Sequence, residues 1–383
     1  MEKLVQIDNA RRIEAYLASK TTQMADAIYQ NPVAQYTCTD RLSAEKAGLF
    51  RRYPLHLGFS CQIQEPGDYM TDDFSGVPIL LVRGRDGQAN AFLNVCRHRG
   101  APVADGCGSG KRNFVCPYHA WVYGIDGRLE FVPNEEGFTQ FCKETHGLTP
   151  LPVQEKYGMI WAKTKPGPDF DIDTYLSTAA ADLAAYGFEN FHHYDTRVLR
   201  PRMNWKLVVD TFLESYHIRT LHRNSIAPLI ESNVSTFDGL GENLRTVYVR
   251  KNYEELATLP DERWSLIPYT TIVYVLFPNT VLVVQQEQVE TWRIYPDGDD
   301  PNFAKMHISL YTPEPSLTES AKRHWSNNMD LLLRVVNEED FPLGERMQVG
   351  FHSAAQEHIT FGRNEPALGH FHKTLDDALV ATG

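Results

Sequence analysis

The 383-residue chain is poor in cysteine, with six, and has fewer basic than acidic residues, 37 against 49. Six cysteines are too few for a disulfide framework in a chain of this length. The net charge of −12 disfavours nucleic acid as a partner, because a phosphate backbone would be repelled. Apolar runs such as Ile272–Phe277 are far shorter than the roughly 18 residues that span a bilayer, and the first residues do not form a secretion signal. We therefore predict a cytoplasmic protein without nucleic-acid or membrane partners, whose cysteines are free thiols or metal ligands.

Apolar periodicity and turn signals divide the chain into three parts. Residues 1–45 are predicted to be helical, since Ile7–Gln30 contains neither glycine nor proline and its apolar residues recur at near-helical spacing. Residues 46–165 carry short apolar runs separated by turns, which is typical of a small antiparallel β-domain. Residues 166–383 predict a mixed domain with an antiparallel sheet flanked by helices, so the predicted fold class is α+β. The predicted helices of this last part are Ile172–Tyr186, Asn204–His222, Leu317–Val336 and Ala367–Val380, and its predicted strands are Leu244–Arg250, Thr270–Phe277, Thr280–Gln285 and Lys305–Tyr311.

Two short cysteine–histidine pairs lie in the β-rich part. Cys96 and His98 form the first pair, and Cys116 and His119 form the second. Two thiolates and two imidazoles can bind a tetrahedral Zn²⁺ or a [2Fe-2S] cluster of the Rieske type, in which two histidines replace two cysteines on one iron. A zinc finger usually keeps both cysteines in one pair and both histidines in the other, whereas here each pair holds one of each. The spacing therefore favours the Rieske cluster, with a structural zinc as the alternative.

A second group of metal-binding residue types lies in residues 204–222, which we predict to form one helix. At about 100° per residue, Asp210, Glu214 and His217 share one helical face. His222 lies about 140° around the helix from His217, so both can reach one ion only if the helix ends or bulges between them. Alone, the two histidines would be interpreted as surface or core imidazoles, but two histidines and a carboxylate beside a redox cluster indicate the facial triad of non-haem Fe(II) chemistry. The dipeptide Phe341–Pro342 predicts a turn, and the third ligand would come from the acidic segment just before it. Three residues remain candidates for this ligand: Glu338, Glu339 and Asp340.

Several further segments accompany these two groups: Cys96-Arg-His-Arg-Gly100, Cys116-Pro-Tyr-His-Ala-Trp121, Asn204-Trp-Lys206, Glu214-Ser-Tyr-His217 with His222, Glu339-Asp340, Gly362-Arg-Asn-Glu-Pro-Ala367 and His370-Phe-His372. Over roughly residues 45–383 the sequence resembles the terminal oxygenase (α) component of the Rieske non-haem iron ring-hydroxylating oxygenases. The resemblance implies a small Rieske domain at residues 46–165 and a catalytic domain at residues 166–383. It implies that the [2Fe-2S] cluster is bound by Cys96, His98, Cys116 and His119. It also implies that a mononuclear Fe²⁺ is bound by His217, His222 and Asp340.

The resemblance gives roles to two further carboxylates. The acid three residues before the first iron-binding histidine usually bridges to a cluster ligand across a subunit boundary, and this residue is Glu214. Many members have aspartate there, and glutamate occurs in some members that act on trimethylammonium compounds. Asp210 occupies a position that lies close to the iron in the family and is predicted to support the catalytic centre. A bridge between subunits implies a closed ring, for which the family supports a homotrimer, with Glu214 accepting hydrogen bonds from its own His217 and from His119 of the next chain.

By resemblance, the chain is an enzyme that activates O₂ at the mononuclear iron and hydroxylates or O-demethylates a small hydrophobic or aromatic substrate, as in aromatic hydrocarbon catabolism. Electrons would come from NAD(P)H through a separate reductase, with or without a ferredoxin, because the sequence has no Gly-x-Gly-x-x-Gly segment opening a βαβ unit. One alternative is a monooxygenase of a quaternary ammonium substrate, such as a betaine or carnitine, held by aromatic faces. Alternatives of another class are a Rieske-type electron carrier and a zinc-stabilised binding module. Candidate pocket walls are Phe212, Leu229, Tyr248, Tyr269 and Phe277.

Overall fold

A computed structural model describes residues 1–138 and 140–381 of the chain. Residue 139 and residues 382–383, which fall in the predicted Rieske and catalytic domains, lie outside the described residues. The chain forms two compact units, a larger unit of residues 1–49, 173–186 and 191–383 and a smaller unit of residues 50–172 and 187–190. Residues 1–49 therefore belong to the same unit as most of the predicted catalytic domain. Within the described part, every helix is too short or too polar to cross a lipid bilayer.

The amino-terminal residues contain less helix than their sequence pattern predicts. Helix α1 spans Lys3–Ser19 and ends at Lys20, whose backbone is left-handed with φ 54°. Strand β1, Tyr29–Pro32, is followed by the short helix α2, Ala34–Thr37, and by helix α3, Thr39–Gly48. The prediction of helix up to residue 30 is wrong beyond Ser19, because residues 29–32 pair antiparallel with His358–Phe361. A partner this distant in sequence leaves no local pattern.

The smaller unit consists of short antiparallel strands, as predicted for residues 46–165. In chain order these are β2 (Leu55–Phe59), β3 (Tyr69–Asp72), β4 (Ile79–Arg83), β5 (Ala89–Leu93), β6 (Cys107–Gly108), β7 (Asn113–Val115), β8 (Val122–Gly124), β9 (Leu129–Phe131), β10 (Pro150–Leu151), β11 (Val153–Lys156) and β12 (Met159–Ala162). Three sheets result, with the orders β10-β5-β4-β3-β6, β11-β12-β2 and β7-β8-β9. Phe92, Phe114 and Tyr123 pack in one buried core with Cys96 and Cys116. This core therefore holds both cysteine-bearing loops in place.

The remaining elements combine helices with one large sheet. In chain order they are α4 (Ile172–Leu176), α5 (Ala179–Ala184), β13 (His192–Leu199), α6 (Trp205–Asp210), α7 (Ile218–Leu221), β14 (Ile230–Leu240), β15 (Asn243–Arg250), α8 (Glu254–Ala257), β16 (Thr270–Leu276), β17 (Thr280–Val284), β18 (Val289–Pro296), β19 (Ala304–Thr312), α9 (Glu319–Val335), α10 (Phe341–Phe351), β20 (His358–Phe361) and α11 (Pro366–Val380). Seven strands form an antiparallel sheet in the order β13-β19-β18-β17-β16-β15-β14. The predicted α+β class with an antiparallel sheet and flanking helices is confirmed.

Candidate functional site

Two loops of the smaller unit repeat the same backbone turn. In each loop the cysteine N–H donates to the carbonyl five residues later, and the cysteine carbonyl accepts from the N–H four residues later, at 2.8–3.0 Å. The fourth residue after each cysteine has a left-handed backbone, Gly100 with φ 82° and Ala120 with φ 56°. The first turn presents Cys96 and His98, and the second presents Cys116 and His119. Each loop therefore contributes one thiol and one imidazole in the same geometry.

The four side chains of these loops come together. Cys96 and Cys116 are each 2% exposed, and burial raises the pKa of the Cys116 thiol above its ordinary value. The rings of His98 and His119 lie 4.5 Å apart between centroids. Their Nδ1 atoms are buried and have no hydrogen-bond partner within the described residues. Burying a polar nitrogen without a partner is costly unless a metal binds it, so the set fits a [2Fe-2S] cluster with two thiolates on one iron and two imidazoles on the other.

A tyrosine hydroxyl lies within hydrogen-bonding distance of the first cysteine sulfur. Tyr123 Oη lies 3.2 Å from Cys96 Sγ and accepts a hydrogen bond from the N–H of Arg97 at 2.9 Å. Because the Arg97 N–H occupies an acceptor position of the hydroxyl, the hydroxyl proton is available to the sulfur. Trp121 stacks on the His98 ring, with 4.9 Å between centroids and 8° between planes. Sequence reasoning missed Tyr123, whose only signal is its place in the strand after the second loop.

In the larger unit, helix α6 begins at an anchored motif, Asn204-Trp205-Lys206. The Asn204 side chain caps the helix by accepting from the N–H of Lys206 at 3.0 Å, and it donates to the carbonyl of Tyr36 at 3.1 Å. Trp205 Nε1 donates to Glu45 at 2.9 Å, and Lys206 Nζ lies 2.6 Å from the same carboxylate. The Lys206 and Glu45 side chains are fully buried. These contacts tie the start of the histidine-bearing segment to helix α3.

The helix predicted over residues 204–222 is divided in two. Helix α6 ends at Asp210, and α7 is a single turn flanked by His217 and His222. Glu214 accepts hydrogen bonds from the backbone N–H groups of Tyr216 and His217, which replaces helical bonding there. The single helical face predicted for Asp210, Glu214 and His217 is therefore wrong. The interruption predicted between His217 and His222 is also wrong, because one continuous helical turn joins them and their Nε2 atoms lie 3.1 Å apart.

A π-helical turn provides the third donor. Helix α9 continues through this turn, Val336–Asp340, into α10, so the turn predicted at Phe341–Pro342 is wrong. The proline lies in the first turn of α10, where its missing N–H is tolerated. Asp340 Oδ1 lies 3.2 Å from His222 Nε2 and 3.8 Å from His217 Nε2. These separations suit one divalent ion at about 2.0–2.2 Å from each donor. Among the described residues, these three side chains form a group that can hold a metal ion.

The neighbouring carboxylates orient the two histidines. Glu339 Oε2 lies 2.5 Å from His222 Nδ1, and Glu214 Oε1 contacts His217 Nδ1. An ionised carboxylate only accepts hydrogen bonds, so both Nδ1 atoms carry protons and both Nε2 atoms present lone pairs. Two lone pairs and the Asp340 carboxylate that face one another can bind one cation between them. Burial lowers the pKa of His222, but the carboxylates of Asp340 and Glu339 outweigh it and raise the pKa above the ordinary value.

Of the three acids left open by the sequence, only Asp340 faces both Nε2 atoms. Glu339 contacts the opposite side of the His222 ring and also accepts from Ser225 Oγ at 2.6 Å. Glu338 is exposed. The π-helical turn therefore separates three consecutive acids: Asp340 faces both histidines, Glu339 contacts the far side of one of them, and Glu338 faces solvent.

Asp210 lies in a separate buried network. Its Oδ2 accepts from Tyr36 Oη at 2.6 Å, and its Oδ1 lies 2.9 Å from His372 Nε2. Gln35 Oε1 lies 3.1 Å from His372 Nδ1, and Asn31 Nδ2 donates to Tyr36 Oη at 3.0 Å. Burial and the adjacent Asp210 carboxylate raise the pKa of Tyr36 well above its ordinary value. His372, from the segment His370-Phe-His372, thus contacts Asp210. The role of Asp210 beside the iron stays a prediction.

A cavity of about 520 Å³ opens onto the three donors. Of the candidate pocket walls, Phe212, Leu229 and Tyr248 line it, whereas Tyr269 and Phe277 lie outside the lining among the described residues. Further walls come from one face of the large sheet and from helix α9. The donors therefore face a space that can hold a small organic molecule.

Comparison with known families agrees with this architecture. Residues 54–143 match the Rieske [2Fe-2S] domain, and residues 188–381, more than half of the chain, match the ring hydroxylating alpha subunit (catalytic domain). These matches confirm the predicted resemblance. They also confirm a [2Fe-2S] cluster and a mononuclear Fe²⁺ as the cofactors.

Individual relatives are similar over different lengths. The glycine betaine monooxygenase oxygenase subunit of Pseudomonas aeruginosa (strain UCBPP-PA14) is 34% identical over 197 residues, which are 51% of this chain and 46% of that protein. The chain therefore spans about half the length of the first curated relatives it matches. Choline monooxygenase, chloroplastic, of Spinacia oleracea is 29% identical over 357 residues, 91% of this chain and 78% of that protein.

Solved structures with different substrates share the fold. The quaternary ammonium Rieske monooxygenase CntA in complex with L-carnitine aligns with a TM-score of 0.78 and 22% identity, covering 93% of this chain and 96% of that chain. Naphthalene 1,2-dioxygenase from Rhodococcus sp. bound to indole aligns with a TM-score of 0.74 and 16% identity, covering 98% of each chain. At these identities the alignments establish the fold alone.

Proposed function

This chain belongs to the ring-hydroxylating alpha-subunit family, and on that basis we propose that it is the terminal oxygenase component of a multicomponent Rieske oxygenase. The observation that carries the proposal is the convergence of His217, His222 and Asp340 at the wall of one cavity. A Rieske-type electron carrier, the candidate from another class, has no use for this second group of donors.

Each metal centre has a proposed set of ligands. We assign His217, His222 and Asp340 to the mononuclear Fe²⁺, and the cluster ligands are Cys96, His98, Cys116 and His119. Bound there, the two centres supply one-electron transfer and O₂ activation. Glu339 and Glu214 hold the Nδ1 protons of the two iron-binding histidines and so fix their rings. Apolar side chains of the cavity would reduce the access of water to an iron held by these residues.

Glu214 is proposed to carry electron transfer between subunits of a homotrimer. In its own chain the carboxylate bonds His217 Nδ1 and two backbone N–H groups. A carboxylate offers about four acceptor positions, so one remains. In a head-to-tail ring, His119 of a neighbouring subunit would donate to that position from Nε2, since the buried Nδ1 of this ring is the atom available to the cluster. The carboxylate would then orient both imidazoles.

The proposed substrate is a small organic molecule, with O₂ as the second substrate. The first candidate class is hydrophobic or aromatic compounds, hydroxylated or O-demethylated, which the apolar part of the cavity lining supports. The second class is quaternary ammonium compounds, which relatives named glycine betaine, carnitine and choline monooxygenase support. A separate reductase using NAD(P)H, with or without a ferredoxin, would supply the electrons. We further propose that this enzyme is cytoplasmic.

Metal analysis combined with O₂ uptake tests the proposed function. The iron-replete protein should contain about three irons and two acid-labile sulfides per chain. With a surrogate reductase, one member of a screen of aromatic acids, methoxyarenes and betaines should stimulate O₂ uptake. His217→Ala should lose one iron and this uptake while the Rieske absorption survives. Two irons and no stimulated uptake would identify an electron carrier, and one zinc would identify a binding module.

A further inference from the structure

One buried carboxylate of the cavity has no part in the metal chemistry described above. Glu290, on strand β18, is 4% exposed and lines the same cavity as the three metal donors. Its carboxylate accepts hydrogen bonds from Gln288 Nε2 at 2.7 Å, Gln285 Nε2 at 2.8 Å and Trp292 Nε1 at 3.3 Å. All three donors are neutral. In the described part of the chain, no cationic side chain compensates the charge of Glu290.

The register of the sheet turns this carboxylate toward the cavity. Cross-strand partners in an antiparallel sheet point to the same face. Glu290 is paired with Val283, which is paired with Val273, and all three line the cavity. Trp292, two residues further along β18, lies on the same face and contacts the Phe212 ring, with 4.9 Å between centroids. On this face of the sheet the carboxylate therefore has aliphatic and aromatic neighbours in addition to its two glutamine donors.

This environment disfavours an ionised carboxylate unless a positive charge binds beside it. Burial raises the pKa of Glu290 to about 7, and the three neutral donors orient the group without neutralising it. A buried charge is retained at low cost only when it is paired. The partner that the protein does not supply can come from a ligand.

We propose that Glu290 is the counter-ion that makes the cavity select an organic cation, a quaternary or protonated amine. The inference rests on the proposed oxygenase function and favours the ammonium class among its two substrate classes. Trp292 and Phe212 add ring surfaces of the kind that attract cations. Because the cavity of about 520 Å³ contains both Glu290 and the metal donors, one small molecule can meet both.

A pair of ligands with the same shape isolates the effect of charge. Phenyltrimethylammonium and tert-butylbenzene differ in one atom, a nitrogen cation in place of a carbon. Calorimetric titration of the intact holoenzyme, without reductase, should show that the cation binds about thirtyfold or more tightly than the neutral compound. This is the smallest loss of affinity expected when one partner of a buried charge pair is removed. Glu290→Gln should abolish this preference by weakening the cation alone. Equal affinities in the wild type, or an unchanged preference in Glu290→Gln, would overturn the proposal.

Two further variants make the result specific. Glu287→Gln removes a second carboxylate of the cavity lining, whose side chain is 63% exposed and pairs with His324 at 3.4 Å. It should change the preference less than about twofold, since an exposed charge is screened by solvent and salt whereas the buried Glu290 is not. Glu290→Met, of similar volume, replaces Glu290→Gln if the amide disturbs its hydrogen-bonded neighbours. This variant should still bind the neutral compound but should no longer bind the cation. Intact Rieske absorption and circular dichroism check the fold of each variant.

The binding result is independent of the proposed oxygenation. Charge-selective binding without stimulated O₂ uptake for any substrate would contradict the proposed function while leaving the cation site in place. Stimulated uptake with a neutral aromatic compound and no preference for the cation would uphold the oxygenase and overturn the role of Glu290.

Discussion

The hydroxyl of Tyr123 allows a quantitative test of how the chain tunes its cluster. Tyr123→Phe removes one oxygen that is fully buried and lies 3.2 Å from Cys96 Sγ. Reduction adds negative charge to the cluster, so a hydrogen bond to a sulfur ligand stabilises the reduced state more than the oxidised state. Of the about 1.5–3 kcal/mol that a hydrogen bond to a charged acceptor contributes, we take roughly 1–2 kcal/mol as the difference between the two states. A one-electron couple shifts by about 40 mV per kcal/mol, so the potential should fall by about 40–80 mV.

Redox titration followed through the visible absorption of the cluster measures this shift. Tyr69→Phe is the matched control, because its hydroxyl donates to the carbonyl of Asp105 at 3.3 Å in the same unit, and the potential should change by less than about 10 mV. Tyr123→Phe should also lower the free energy of unfolding by about 1–2 kcal/mol, since the Arg97 N–H loses its acceptor. An unchanged or higher potential with an intact cluster would refute the hydrogen bond to sulfur.

Three further predictions concern the larger unit. Asp340→Ala should lose the mononuclear iron and keep the Rieske absorption, whereas the exposed Glu338→Ala should keep both, and full iron in Asp340→Ala would contradict the ligand assignment. Glu214→Gln should keep both centres but slow reoxidation of the cluster by substrate and O₂, because an amide cannot accept equally from two imidazoles, and reoxidation at the wild-type rate would exclude the bridge. Glu45→Ala should lower the free energy of unfolding in urea by about 3–5 kcal/mol, since it strands the buried Lys206, and adding Lys206→Met should recover most of the loss. A loss below about 1 kcal/mol for Glu45→Ala would contradict the buried pair.

The sequence predicted correctly those helices and strands in which apolar residues recur without interruption. Helices α9 and α11 and strands β15, β16, β17 and β19 fall where the sequence indicates them. Strand β18 has no such pattern, because Glu290 and Arg293 interrupt its apolar residues although both are buried. Strand β1 depends on pairing with residues more than 300 positions away. Elements of this kind are stabilised by tertiary partners and not by their own sequence.

The sequence by itself determined which residues could bind metal. Each cysteine–histidine pair lies within a span of seven residues or fewer, as do His217 and His222, and a single turn can bring such a pair together. It did not separate Glu338, Glu339 and Asp340, which are consecutive. The π-helical turn decided among them by directing each acid to a different side. Tertiary packing likewise placed Asp210 against Tyr36 and His372. It also enclosed Glu290, since the burial of one strand residue depends on neighbouring strands and helices that are distant in sequence.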